Sequence, residues 1–237
     1  MFIMGKEDVT KNKGRRRFLE TVTSGAAVMG LVGLVAPIEK VNAGVSSFDA
    51  PADDPDEWFK KVKGKHRMVF DATRPHEILP FVWPRVFLLT NEKTGTPSKD
   101  CGVVVVLRHS AIAYAFQSAT WAKYNFGEVF QAEDPDTKKP STRNPFWQPA
   151  KGAFKVPGFG EVPIGINELQ ESGVMFCVCD AAMTVYSTVV AGMMNLDAAE
   201  VKKDWVANLL PGIQPVPSGV WAVGRAQEHG CTYCFAG

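Results

Sequence analysis

The stretch Cys101-Gly102-Val103-Val104-Val105-Val106-Leu107 decides the class of fold. It is an uninterrupted apolar run of mostly β-branched residues, which is typical of a strand that is buried on both faces of a parallel sheet. A second run of this kind, Val174-Met175-Phe176-Cys177-Val178-Cys179, predicts another buried strand. Working outward from these two runs, we predict further strands at residues 66–72, 213–216 and 231–236.

Segments with helical spacing separate these strands. We predict helices over residues 75–91, 111–124, 166–172, 181–194, 198–208 and 219–228, with Asp197 or Asn195 capping the fifth and Ser218 capping the last. Strands that alternate with helices form βαβ units. The sequence therefore predicts an α/β protein, with a mostly parallel sheet of about five strands covered by helices on both faces.

Residues 126–163 break this pattern. The segment contains six prolines, many charges and several aromatic residues, and it shows no regular period. A long irregular stretch inside a compact domain is either an insertion that packs its aromatic side chains on the domain, or a functional lid or oligomer contact. Both interpretations are open from the sequence.

The first 43 residues predict an export signal. Basic residues lead to Arg15-Arg16-Arg17-Phe18-Leu19, which resembles a twin-arginine signal. The apolar run over 25–36 is shorter than the roughly 20 residues of a membrane span, and Ala43 offers a cleavage position. We expect a periplasmic protein with a polar leader at 44–65, including a short helix at 56–62, and one domain at 66–237. Membrane attachment would require that the signal stays uncleaved.

Charge and motifs exclude several function classes. Setting aside the seven basic and four acidic residues of 1–43 leaves 19 basic and 21 acidic residues, a net charge of −2. This balance gives no electrostatic footprint for nucleic acid. The chain has no G-x-S-x-G, H-E-x-x-H or phosphate-loop motif, so hydrolase or nucleotide chemistry of those types is unsupported.

Cys179 is the first candidate for chemistry. It ends a predicted buried strand, and Asp180 opens the helix that follows. Ligands of open α/β sheets bind at the carboxyl ends of strands, and the positive end of a helix dipole favours the nucleophilic thiolate. Asp180 acts in the opposite direction because its carboxylate repels a thiolate. The alternative is an inert buried thiol, which is how we interpret the neighbouring Cys177.

A family resemblance bears on the same residue. The matching features are Glu168-Leu169-Gln170 followed by Gly173-Val174, then Cys179, Pro217-Ser218-Gly219-Val220, Arg225-Ala226-Gln227-Glu228-His229-Gly230, Tyr233, and Arg108-His109 after the valine run. With these motifs the chain resembles the DsrE/DsrF-like family of sulfur-relay proteins over nearly all of 66–236 outside the Pro-rich insertion. Ser110 departs from the glycine that the family commonly has.

The resemblance implies a flavodoxin-like three-layer sandwich that assembles as a homo-oligomer, a trimer or a hexamer. It implies that Cys179 accepts persulfide sulfur from a partner protein, and that His109 lies beside the same pocket. It favours a sulfur carrier or binding protein over a classical enzyme.

The cysteines near the C-terminus leave other functions open. Cys231 and Cys234 form a C-x-x-C pair with His229 nearby, but the residue after Cys234 is Phe235, so the usual haem attachment motif is absent. In an extended segment the two thiols face opposite sides. The pair can serve as separate thiols, as partners in disulfides with other cysteines, or as metal ligands together with His229 or His109. A metal- or cofactor-binding envelope protein and a structural oligomer with inert cysteines are therefore the alternative functions.

Overall fold

The computed structural model describes residues 55–237, so the predicted signal peptide and most of the predicted leader lie outside the described residues. The strands are β1 His66–Ala72, β2 Cys101–Leu107, β3 Lys155–Val156, β4 Gly160–Glu161, β5 Val174–Cys179, β6 Ile213–Val216 and β7 Thr232–Phe235. Five of them form a parallel sheet in the order β6-β5-β2-β1-β7, and β3 and β4 form a separate antiparallel hairpin.

Eight α-helices and two 3-10 helices, at Ser98–Asp100 and His109–Ala115, occur in the described part of the chain. The α-helices are α1 Pro55–Phe59, α2 Leu79–Lys93, α3 Ser118–Tyr124, α4 Phe126–Val129, α5 Ile166–Glu171, α6 Asp180–Met194, α7 Ala198–Ala207 and α8 Gly219–Glu228. None of the helices within 55–237 has the length and apolar character that crossing a bilayer requires.

Side chains that alternate along the strands divide the core into two layers. Val103, Val105 and Leu107 point to one side, which we call the first face, where α2 to α7 contribute to the main cluster of buried side chains. Val104 and Val106 point to the second face, which is covered by α1 and α8. The valine run is buried from both sides, and this explains why it has no polar residue.

The connections between the parallel strands all have the same hand, which agrees with the rule that such crossovers share one handedness. From β1 through β2 and β5 to β6 the chain moves in one direction across the sheet, with the intervening helices on the first face. From β6 it returns to β7 at the opposite edge through α8 on the second face. The predicted fold class is confirmed: this is a flavodoxin-like α/β three-layer sandwich. Its strand order, 4-3-2-1-5 in chain numbering, differs from the flavodoxin order 2-1-3-4-5.

Two predicted helices between residues 75 and 124 differ from the observed ones. The segment predicted as one helix at 111–124 is divided into two. A 3-10 helix ends at Ala115, the backbone is extended at Phe116, and α3 begins at Ser118. The break forms because Phe116 pairs with Leu209 in an isolated β-bridge. The helix predicted from residue 75 begins at Leu79, with Pro80 in its first turn, where proline is tolerated.

The segment at 55–65 belongs to the sheet domain, although its polarity suggested a leader. Trp58, Phe59 and Val62 are buried against the second face, and Phe59 is completely inaccessible. The short predicted helix is α1, which ends at Phe59 instead of residue 62. The three apolar residues recur at helical spacing within a charged stretch, so only one side of the segment is buried.

The Pro-rich insertion packs its aromatic side chains on the first face. Phe130, Phe146 and Phe154 are buried in the main core. Asn144, which is 1% exposed, donates from Nδ2 to the carbonyl oxygens of Tyr114 and Phe116, both at 2.9 Å. The insertion is therefore anchored to the segment that follows β2, as the packing interpretation predicts.

Candidate functional site

The carboxyl ends of β5 and β6 form a topological switch point. β5 leads into α6 on the first face, whereas the adjacent β6 leads into α8 on the second face. Cys179 pairs in register with Val216, so these two residues mark the point where the chain paths separate. Ligands of open α/β sheets bind in the crevice at such a point.

Cys179 caps α6 with its side chain. Its sulfur accepts a hydrogen bond from the backbone N–H of Ala182 at 3.3 Å, and the residue is 6% exposed. A sulfur in this position faces the positive end of a 15-residue helix, which stabilises negative charge. Cys179 has this position because the buried strand β5 ends at this residue and α6 begins at the next one.

Asp180 does not stand unpaired beside the thiol. Its carboxylate oxygen Oδ2 accepts a hydrogen bond from Nζ of Lys202 on α7 at 2.9 Å, and both side chains are largely buried. The ion pair offsets the repulsion that Asp180 would exert on a thiolate at Cys179. Lys202 on the next helix therefore reduces the repulsion between Asp180 and a Cys179 thiolate that the sequence led us to expect.

A buried ion pair lies on the neighbouring strands. Arg108 follows β2 and donates from Nε and Nη2 to the two carboxylate oxygens of Asp71 on β1, at 2.6 and 2.8 Å. Asp71 is 2% exposed. The hydrogen bonds to Asp71 raise the pKa of Arg108, and the negative charges that Tyr233 and Cys179 carry when ionised raise it further. The Arg108 guanidinium is therefore within electrostatic reach of the Cys179 sulfur.

Tyr233 and Gly219 complete the surroundings of Arg108. The hydroxyl of Tyr233 on β7 donates to Oδ2 of Asp71 at 2.9 Å. Burial and this bond to Asp71 raise the pKa of Tyr233. Gly219 opens α8, and a Cβ atom at that position would lie 2.4 Å from Cβ of Arg108. The glycine is required because the arginine side chain crosses the start of the helix.

His109, the second candidate from the sequence, is exposed and contacts α6. Tyr186 on that helix places its hydroxyl 3.4 Å from Nδ1 and 3.3 Å from Nε2 of the imidazole, and the two rings are perpendicular. His109 has a φ of 49°, an uncommon backbone conformation for a residue other than glycine. Among residues 55–237, the Cys179 sulfur accepts its hydrogen bond from Ala182, and His109 forms no hydrogen bond with it.

The other cysteines have different environments. Cys177 is fully buried among second-face residues, and burial raises its pKa strongly. Burial also raises the pKa of Cys231 to about 11, and it raises the pKa of Cys101 and of Cys234. All five thiols are free in the structure. The expectation that Cys177 is a core residue is thus confirmed.

The structure does not bring the predicted metal ligands together. Cys231 packs on the second face, whereas Cys234 lies against the core of the first face. The ring of His229 stacks on Phe59 with 6.2 Å between centroids. Over residues 55–237 no group of three or more His, Cys, Asp or Glu side chains is placed to hold a metal ion. The opposite orientation of the two thiols follows from their spacing in an extended segment.

Sequence reasoning missed Asp71, Lys202 and Tyr186, and it assigned no role to Arg108 or Tyr233. A signal for the ion pair was present, because Asp71 is an acid in an otherwise apolar strand end and Arg108 directly follows the valine run. Opposite charges at the ends of two buried strands indicate a pair if those strands are neighbours. No comparable local signal marks Tyr186 or Lys202.

Comparisons with known proteins give only a distant structural likeness. No family model matches the chain, and no curated protein matches it. A solved structure described as a protein of unknown function, MTH1491 from Methanobacterium thermoautotrophicum, is similar over 72% of this chain and 99% of its own length, with 16% identity and a TM-score of 0.37.

Proposed function

We propose that this chain is an exported DsrE-like protein that accepts sulfane sulfur on Cys179 and carries it as a persulfide. The observation that carries the proposal is the position of the Cys179 sulfur. It caps α6 at the topological switch point, and the Arg108 guanidinium is within electrostatic reach. Both features place positive electrostatic potential at the sulfur, where the attacking thiolate and the product persulfide carry their negative charge.

The transfer step needs no group beyond a donor persulfide. The Cys179 thiolate attacks the terminal sulfur of the donor, R–S–S⁻. A bond forms between that sulfur and the Cys179 sulfur, and the donor leaves as the thiolate R–S⁻. The product on the protein is again an anion, so Arg108 and the start of α6 stabilise the loaded form as well as the free thiolate.

The proposed role predicts selective loading of one cysteine. The full chain, purified without reductant, is incubated with inorganic polysulfide, and its intact mass is measured before and after reduction. We expect a gain of about one sulfur atom that reduction removes and that maps to Cys179. Cys179→Ser should abolish the gain, and Cys234→Ser, which removes another partly accessible thiol, should retain it. Equal loading of the Cys179→Ser variant, or no loading of Cys179, would contradict the proposal.

We further propose that the protein acts in the periplasm after twin-arginine export, as a homo-oligomer that passes sulfur to a partner protein. The predicted export signal at residues 1–43 lies outside the described residues. The proposal of self-association is supported by α6, which has no charged residue after Asp180 and exposes Val185, Met193 and Met194. Light scattering of the purified chain tests this, and a strictly monomeric protein would contradict it.

A further inference from the structure

A concave site lies apart from Cys179. A half-open cavity of about 630 Å³ lies between the loop after β1 and the Pro-rich insertion, with Tyr114 at its wall. Its residues come from three segments: 75–78, 131–138 and 152–155. Sites for small molecules commonly have volumes of roughly 300–1,000 Å³. The cavity therefore has the size of a ligand site.

Two residues that line this cavity each have a polar atom without a protein partner in the described part of the chain. Tyr114 is 1% exposed and its ring packs against Phe81 and Phe146, but no described residue forms a hydrogen bond with its hydroxyl. Nδ1 of His76, which also lines the cavity, is buried and likewise has no partner within 55–237. An unpaired polar atom in a largely buried site costs free energy, and a bound ligand that donates an N–H group to the Tyr114 hydroxyl would reduce that cost.

The charged side chains at the cavity wall indicate the sign of the charge that a ligand would carry. Glu77, Glu133 and Asp136 have no ion-pair partner in the described part of the chain. Asp134 is already occupied: it pairs with Arg143 at 3.1 Å and accepts two backbone N–H groups of its own turn. Lys138 and Lys155 supply the positive charges of the wall. Unpaired carboxylates thus outnumber ammonium groups.

Burial raises the pKa of Tyr114, so its hydroxyl stays neutral and keeps a lone pair available. Tyr114 and Phe154 add aromatic side chains to the lining of the cavity, and aromatic rings attract cations. Three of the cavity residues, Glu77, Gln131 and Lys138, have φ values of 50°, 54° and 56°. Such positions are uncommon outside glycine.

We propose that this cavity binds a small organic amine, with its ammonium group at the carboxylates of Glu77 and Glu133 and an N–H donor directed to the Tyr114 hydroxyl. The site is independent of sulfur transfer at Cys179. It uses the insertion that the sulfur-relay resemblance does not cover, and it gives that segment a role beyond packing.

The test uses the full chain and the probe 1,5-diaminopentane in a calorimetric titration. We expect saturable binding with one site per chain, and affinity lower by about tenfold or more for the neutral analogue 1,5-pentanediol. Glutarate, the dianion of the same length, should not compete. No saturable binding of the diamine, or tighter binding of glutarate, would overturn the proposal.

Variants locate the site. Glu133→Gln changes an exposed side chain and should weaken diamine binding by about tenfold without affecting the fold. Tyr114→Phe keeps the buried ring and should weaken binding as well. Glu200→Gln, an exposed carboxylate on α7, and Cys179→Ser should leave diamine binding unchanged. Equal affinity of Glu133→Gln and the unaltered chain would place the amine elsewhere and overturn the assignment.

Discussion

Arg108 donates two parallel hydrogen bonds to Asp71 across neighbouring strands, and Asp71 also accepts the hydroxyl of Tyr233 from the strand on its other side. Three strands, β2, β1 and β7, are thereby joined at their carboxyl ends by one buried carboxylate. The same arginine lies within electrostatic reach of the Cys179 sulfur on a fourth strand. Stability and the reactivity of the thiol therefore depend on a shared set of side chains.

Replacing Asp71 by Asn should destabilise the protein by about 2–4 kcal/mol, because the partly buried guanidinium loses its counter-charge. Urea unfolding measures this change. Glu200→Gln, which alters an exposed i,i+3 pair with Lys203, should change the free energy of unfolding by less than about 0.5 kcal/mol. If the free energy of unfolding falls by a similarly small amount in both variants, the Asp71–Arg108 pair contributes little to stability.

Two glycines of α8 should respond to alanine in opposite directions. Gly219→Ala places a methyl group 2.4 Å from Arg108 Cβ and should cost about 1–3 kcal/mol. Gly224→Ala has open space around the new methyl group and should stabilise the helix by about 0.5–1 kcal/mol. Thermal unfolding of the two variants compares them directly. A Gly219→Ala variant as stable as Gly224→Ala would mean that Arg108 moves aside without cost.

Lys202→Gln should slow the alkylation of Cys179 several-fold. The substitution removes the counter-ion of Asp180 and leaves a carboxylate that repels the neighbouring thiolate. Lys203→Gln is the matched control, since Lys203 is exposed and pairs only weakly with Glu200. Iodoacetamide rates, with peptide mapping of Cys179, give the comparison. If Cys179 is alkylated at the same rate in Lys202→Gln as in the unaltered chain, the Asp180–Lys202 ion pair does not affect the reactivity of Cys179.

Stability should fall at high pH in a way that depends on Tyr186. Burial raises the pKa of Tyr186 to about 12, from an ordinary value of about 10. The folded state thus keeps this proton at a pH where the unfolded chain releases it, so the contribution of Tyr186 is complete below about pH 10 and is lost as the pH rises toward 12. Urea unfolding between about pH 8 and pH 11 should show a shallower decline for Tyr186→Phe. Parallel curves would contradict this assignment.

Asn144→Ala should loosen the insertion. Its buried amide donates to two carbonyl oxygens, and its oxygen accepts the N–H of Phe146 at 3.1 Å. Leaving these groups unsatisfied should cost about 2–4 kcal/mol. We expect faster proteolysis between residues 131 and 160, whereas Asn91→Ala, which removes a half-buried bond within α2, should not change cleavage there. Protection that survives Asn144→Ala would show that aromatic packing alone holds the insertion.

The fold could be predicted because its signals are local. The valine run of β2 and the apolar run of β5 are each readable without knowing their neighbours, and Ser218 marks the start of α8 by its residue type and position. The same is true of Cys179, where strand and helix patterns meet. For this reason the predicted strand bounds agree closely with the observed ones. The extended backbone at Phe116 was not predicted because it depends on a bridge to Leu209, which is distant in the sequence.

The surroundings of Cys179 could not be predicted in the same way. Asp71 and Arg108 are 37 residues apart, and their contact requires that β1 and β2 be adjacent and in register. Tyr233 reaches Asp71 only because β7 returns to the opposite edge beside β1. The cavity at the insertion depends on irregular segments, for which the sequence carries no period to interpret.

The placement of β7 beside β1 has a consequence for how the chain acquires its structure during synthesis. Residues 68–71 pair with residues 232–235, so these two strands can meet only after the intervening chain has been made. On the ribosome, β7 and the Tyr233 hydroxyl that donates to Asp71 emerge after the other four strands of the sheet. A nascent chain that lacks residues 232–235 exposes one side of β1 as an unpaired edge, which makes late protection from aggregation a requirement of this topology.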